Sequence, residues 1–201
     1  MRRIVLTGGP GAGKTVISRQ LALAYPARLL RVPEAATQVY HDLQTRWDKL
    51  DIAGRREVQR RIYALQVDQE NALDRSHPEH ALILDRGTID GAAYWPDGVD
   101  AYWKDLGTDH ATELSRYDAV IWLQTSAILG IYDGDASNIC RFEDPQAAIR
   151  SGQLLEQLWG GHRRFVKVEA SEHLDTKSAE VDAIVRALID GTAVAEALRD
   201  P

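Results

Sequence analysis

Short apolar runs alternate with amphipathic stretches along this chain. "RRIVLTG" (2–8) predicts a first strand that stops where glycines begin. "KTVISRQLALAY" (14–25) predicts a helix, with Ile17, Leu21 and Ala24 on one face. Pro26 stands just beyond its end. "ARLLRV" (27–32) predicts a second strand, cut by Pro33. A long helical stripe follows over 54–75, carried by Val58, Ile62, Leu65, Ala72 and Leu73. "ALILD" (81–85) is a continuous apolar run ending in Asp, the pattern of a strand buried on both faces. The stretch 91–107 is aromatic and broken by Pro96 and Gly98, which predicts short helices. "YDAVIWLQT" (117–125) predicts strand 4, and 130–145 predicts a loop rich in Asp, Gly, Ser and Asn. A helix from about Pro145 to Trp159 should end at Gly160-Gly161. "RFVKVEA" (164–170) predicts strand 5, and 177–190 a closing helix with Val181, Ile184, Val185 and Leu188 on one face.

Strands alternating with helices specify an α/β fold with a parallel sheet. There is no repeat, no low-complexity tract and no long linker, so a single domain spanning 1–201 is expected. The pattern gives five strands but leaves their order open.

Composition narrows the function classes. Of the 201 residues, 44% are apolar and 27% charged, as in a globular protein. A net charge of −6 argues against a general nucleic-acid binder, which carries a basic excess. Cys140 is the lone cysteine, so no internal disulfide can form. The apolar run after Met1-Arg2-Arg3 stops after three residues, far short of the about 7–15 of a signal segment. No stretch approaches the roughly 20 residues that span a bilayer, so a cytoplasmic location is expected. His77 and His80 lack zinc-site neighbours, and no structural metal is expected.

The chemistry begins at "GGPGAGKT". Gly8, Gly9, Pro10, Gly11, Ala12, Gly13, Lys14 and Thr15 match G-x-x-x-x-G-K-[ST] at every fixed position, between a strand and a helix. Small residues let backbone N–H groups approach phosphate closely. Lys14 would reach the β- and γ-phosphates, and Thr15 would offer its hydroxyl to Mg²⁺. Val16 completes the stretch expected to touch nucleotide. Asp85, at the end of the third strand, is the natural second metal-side carboxylate, with a turn or capping role as the alternative.

Several classes use such a loop. A regulatory GTPase needs [NT]-K-x-D, and the nearest string, Thr176-Lys177-Ser178-Ala179, lacks the Asp. It also needs D-x-x-G after strand 3, and Asp85-Arg86-Gly87-Thr88 is one residue short. A ring-forming motor carries more helical sequence than 201 residues leave room for. A small-molecule kinase fits the length. Glu34, directly after strand 2, could orient an acceptor hydroxyl or take its proton, or else sit at a helix N-terminus for the dipole. Arg86 could bind a substrate phosphate or neutralise transition-state charge. Asp90 and Tyr94 could face the acceptor or serve the structure. Tyr94, Trp95, Tyr102 and Trp103 suit either a stacking wall or a core, and the same stretch offers a dimer surface. Arg163 and Arg164 beside His162 read as a solvated basic turn.

The phosphate loop, Pro33-Glu34-Ala35-Ala36 and Leu84-Asp85-Arg86-Gly87 together resemble the NadR-like AAA domain family. That family includes ribosylnicotinamide kinase domains. More widely they resemble thymidylate and deoxynucleoside kinases. The resemblance implies a three-layer fold with a parallel sheet in the order 2-3-1-4-5 and a lid, here about 126–161. It implies Glu34 as base and an Asp-Arg pair after strand 3, here Asp85-Arg86. It also places Arg141 and Arg150 in the lid interval, although the carboxylates Glu143 and Asp144 beside Arg141 put an ion pair in competition. The expected cofactors are Mg²⁺ and ATP, and the expected partner is a small nucleoside- or nucleotide-like acceptor. A nucleotide-dependent switch acting on a protein or lipid partner is the competing expectation.

Overall fold

The structure is a computed structural model and describes residues 2–131 and 144–194. In chain order the elements are β1 (Arg3–Thr7), α1 (Lys14–Ala24), β2 (Leu29–Val32), α2 (Ala35–Asp42), a 3₁₀ turn (Trp47–Lys49) and α3 (Ile52–Ser76). Then come β3 (Ala81–Asp85), a 3₁₀ segment (Thr88–Tyr94), α4 (Val99–Leu106), α5 (His110–Ser115), β4 (Ala119–Leu123) and a 3₁₀ turn (Ser126–Leu129). The described part ends with α6 (Pro145–Trp159), β5 (Phe165–Val168) and α7 (Leu174–Asp190).

The five strands form one parallel sheet in the order β2-β3-β1-β4-β5. Side chains alternate between its faces, and both faces are apolar. Ile4, Leu6, Ile83, Ile121 and Leu123 pack against Ile17 and Leu21 of α1 and Val181 and Ile184 of α7. Val5, Leu82, Leu84, Val120 and Trp122 pack against Ile89, Leu155 and Trp159 on the other side. Burial on both sides explains why β3 and β4 read as unbroken apolar runs. A third, smaller cluster joins Val39 and Tyr40 of α2 to Val58 of α3. It packs α2 onto the first half of α3, and there the pair forms a cap beside the phosphate-loop end of the sheet.

Local chemistry sets the helix boundaries. The Asp51 side chain accepts from the Gly54 amide at 2.7 Å, and Asp144 accepts from the Ala147 amide at 2.7 Å. Pro145 occupies the first turn of α6, where its missing N–H costs nothing. Helices α2 and α5 go beyond the elements predicted from the sequence. Both are short, so propensity alone marks them poorly, and tertiary contacts hold them. The closing helix begins at Leu174, three residues earlier than the apolar stripe suggests. Among the described residues, no helix is long and apolar enough to cross a membrane.

Candidate active site

Every predicted site residue among the described ones lies at the carboxyl edge of the sheet, where parallel strands release their chains into loops. β1 ends at Thr7, and the chain turns at once through Gly8, Gly11 and Gly13, whose φ angles are +133°, +73° and +89°. Such angles are accessible to glycine without strain. Gly9 is needed for a different reason. A Cβ there would lie 2.4 Å from the Ala148 carbonyl oxygen of α6, so helix and loop pack backbone to backbone.

The loop is held by its outward-facing carbonyls. Thr125 Oγ1 donates to the Pro10 carbonyl, and Ser126 Oγ to Gly11 at 3.1 Å. Lys177 Nζ from α7 donates to Ala12 at 3.3 Å. With these three carbonyls turned out, the amides are free to line the inside. Lys14 is buried, and its Nζ donates to the Gly8 and Gly9 carbonyls at 2.8 Å each, which folds the ammonium over the loop. Val16, one turn into α1, is exposed at the rim of the loop.

Asp85 ends β3 beside Leu6 and faces α1. One carboxylate oxygen, Oδ2, accepts from Arg31 at 2.9 Å, and Arg31 Nε donates to Ser18 at 2.8 Å. Ser18 in turn donates to the Thr15 carbonyl at 3.1 Å. The other oxygen, Oδ1, is buried with no hydrogen-bond partner. An unsatisfied buried carboxylate oxygen is costly unless a metal-bound water or the metal itself completes it. Asp85 and the partly buried Thr15 therefore present a hard-oxygen donor set that fits Mg²⁺.

On the opposite face of β3, Arg86 takes φ +79°, a left-handed conformation unusual for a side-chain-bearing residue. Two carboxylates hold it there. Its Nε donates to Glu34 Oε1 at 2.7 Å, and its NH1 to Asp90 Oδ1 at 3.1 Å. Burial alone would lower the Arg86 pKa, but the Tyr94, Glu34 and Asp90 oxygens raise it well above the ordinary value. The guanidinium stays charged. Glu34 stands at the N-cap of α2, yet its side chain does not cap the helix. Its second oxygen accepts from Thr37 Oγ1 at 2.7 Å. Asp90 anchors the site. It also accepts from Thr7 Oγ1, the Gly87 amide and Trp159 Nε1.

Glu34, Arg86 and Asp90 line one wall of a cavity of about 520 Å³, and Pro10 of the phosphate loop lines another. Of the four expected aromatics, Tyr94 and Tyr102 border it, while Trp95 and Trp103 belong to the core. Sequence reasoning missed Tyr40, Trp47, Arg55 and Gln59, which form the far wall. The Arg55 guanidinium lies 4.7 Å from the Trp47 ring centroid. The fold of α2 back onto α3 creates this wall. The lone Trp47 between polar neighbours was the one available signal.

Arg150 of α6 also borders the cavity, exposed at its mouth. Arg141 and Cys140 lie outside the described residues. The expected basic turn before β5 is partly structural. His162 is buried, with Nε2 2.9 Å from the Tyr117 carbonyl, and its Nδ1 accepts from the Arg164 amide at 3.1 Å.

Comparison with known proteins bears on the family and the fold. Residues 3–177 match the family model described as an AAA domain. No curated protein sequence matches significantly. Among solved structures, NadR in complex with NAD and AMP-PNP superposes with a TM-score of 0.63 at 16% identity, over 96% of this chain and 50% of NadR. The chain thus spans about half the length of NadR. Deoxyadenosine kinase from M. mycoides, with dCMP and dCDP bound, gives 0.60 at 14% identity over 92% and 99%. Shikimate kinase from Acinetobacter baumannii with shikimate gives 0.53 at 16% identity over 95% and 94%. At these identities the likeness establishes a shared phosphate-loop kinase fold.

Proposed function

The chain belongs to the AAA domain family, and from that premise we propose that it is a Mg²⁺-dependent phosphotransferase, moving the γ-phosphate of ATP to a hydroxyl of a small nucleoside-like acceptor. The observation that carries this is the cavity shared by Pro10 of the phosphate loop and the Glu34–Arg86 pair. A nucleotide hydrolase needs room beside the γ-phosphate for one water, about 30 Å³ of liquid volume. A chamber of about 520 Å³ has the size of a small-molecule site.

In this proposal the loop amides and Lys14 hold the β- and γ-phosphates. Thr15 and Asp85 hold Mg²⁺, which supplies positive charge to the phosphate oxygens. The acceptor oxygen forms a bond to the γ-phosphorus as the bond to the β-γ bridging oxygen breaks, and ADP leaves. The hydroxyl proton passes to Glu34, whose carboxylate is held in place by Arg86 and Thr37. Arg86, already charged and fixed, meets the transferring phosphoryl oxygens without reorganisation. The cap of α2 and α3 excludes water from the acceptor side.

Glu34→Gln tests the assignment. Transfer should fall by roughly 10²–10⁴-fold, the usual contribution of a positioned base. ATP affinity should stay within about twofold, because Glu34 lies on the acceptor wall. Unchanged transfer by this variant would remove Glu34 from the mechanism.

A further inference from the structure

The string Thr176-Lys177-Ser178-Ala179, set aside above for lack of an Asp, holds a residue that the proposed reaction does not use. Lys177 sits in the first turn of α7 and is 4% exposed. Its Nζ donates to the Gln124 carbonyl at the end of β4, at 2.6 Å, and to the Ala12 carbonyl of the phosphate loop, at 3.3 Å. One turn earlier, Leu174 covers Gly13 so closely that a Cβ there would lie 2.7 Å from Leu174 Cδ1. The start of α7 is therefore packed against the back of the loop, on the sheet face away from the acceptor cavity.

A buried ammonium normally sits against a carboxylate. Lys177 has two carbonyls instead. The acids that act on it, Glu180 on its own helix and Glu169 after β5, do so at a distance and form no ion pair with it. The chain leaving β4 beside it carries the neutral Gln124 and Thr125.

We propose that Lys177 is a second cation of the nucleotide site, a positioning residue that grips the phosphate loop from behind and finds its counter-charge in the bound polyphosphate. The inference rests on the phosphate loop binding a nucleotide, as proposed above. Burial pushes the Lys177 ammonium down to about 8, against upward pulls from Glu180 and Glu169. A polyphosphate across the loop favours the charged form and raises that value again. Nucleotide binding near pH 8 is thereby coupled to proton uptake by Lys177. Affinity is greatest where Lys177 is already charged, below about pH 8, and declines as pH rises through that value.

Titration calorimetry of Mg-ADP binding, in pairs of buffers with different ionisation enthalpies, tests this. Wild type should take up a fraction of a proton at pH 8. Its Kd should weaken about tenfold between pH 7 and 9.5 if binding raises the lysine by one unit. Lys177→Arg, charged throughout, should keep tight binding but lose both the uptake and the inflection. Lys177→Met should bind about tenfold more weakly at pH 7, with a flat profile. Variants that lower only the melting temperature, with Kd and proton uptake as in wild type, would overturn the proposal. So would wild-type binding with no uptake at pH 8. A wild type that binds no Mg-ADP at all would overturn both this inference and the phosphotransferase reading.

Discussion

Replacing Arg86 with Met would leave Glu34 and Asp90 as two buried carboxylates with their shared cation gone. They are 8% and 3% exposed, and Arg86 bridges them at 2.7 and 3.1 Å. Removing one partner of a buried ion pair costs about 3–5 kcal/mol, because the stranded charge keeps its desolvation penalty. Asp90 would still accept from Thr7, Gly87 and Trp159, and Glu34 from Thr37, which places the loss near the lower end, about 3 kcal/mol. Met fills much of the same space, so a cavity adds little. Urea unfolding followed by circular dichroism would read the change at pH 7. Arg86→Gly and Arg86→Ala separate the backbone contribution. Glycine relieves the +79° φ, so it should be the more stable of the two by about 1 kcal/mol or more. A defect below about 1 kcal/mol would refute the reasoning, because that is how an exposed ion pair behaves.

Lys14→Ala removes the ammonium from the phosphate loop, and kcat/KM for ATP-dependent transfer should fall by at least about 10²–10³-fold in steady-state assays. Gly87→Ala places a Cβ 2.9 Å from Trp159 Cη2 and 3.1 Å from Tyr117 Cζ, so thermal unfolding should report a loss of about 1–3 kcal/mol from overpacking. Asp118 accepts from the Arg2 and Arg3 amides at the start of β1, at 2.8 and 3.1 Å. Burial alone would raise its carboxyl, but those amides, the N-terminus and Arg163 lower it below the ordinary value. A lowered carboxylate contributes stability above its unfolded pKa and loses it as pH falls through the folded one. Asp118→Asn should therefore cost about 1 kcal/mol at pH 7 in denaturant titrations, and the difference from wild type should fade as pH falls below the ordinary aspartate range.

The sequence carried the sheet well because both its faces are buried, so β3 and β4 appear as apolar runs whatever packs on them. The phosphate loop was legible because its chemistry is local: small residues, a turn and one lysine in fixed spacing. Glu34 and Arg86 could be placed at strand ends, and their 2.7 Å contact follows from the strand order that the resemblance implied. Other features depended on tertiary placement. Asp90 gathers Thr7, Arg86 and Trp159 from three separate elements, and no short pattern announces that. Tyr40, Trp47 and Gln59 meet only because α2 turns back on α3. Lys177 was visible only as a failed match to another motif, and its grip on Ala12 depends on where α7 docks.

The central claim is that the phosphate leaves ATP for a small acceptor held between the loop and the α2–α3 cap. ADP release from Mg-ATP, measured with and without a panel of nucleosides, nucleoside monophosphates and ribosylated vitamins, tests it most directly. The account predicts that one compound class raises turnover by orders of magnitude and is recovered phosphorylated in equal amount to the ADP formed. Tight nucleotide binding with slow hydrolysis that no acceptor accelerates would contradict it.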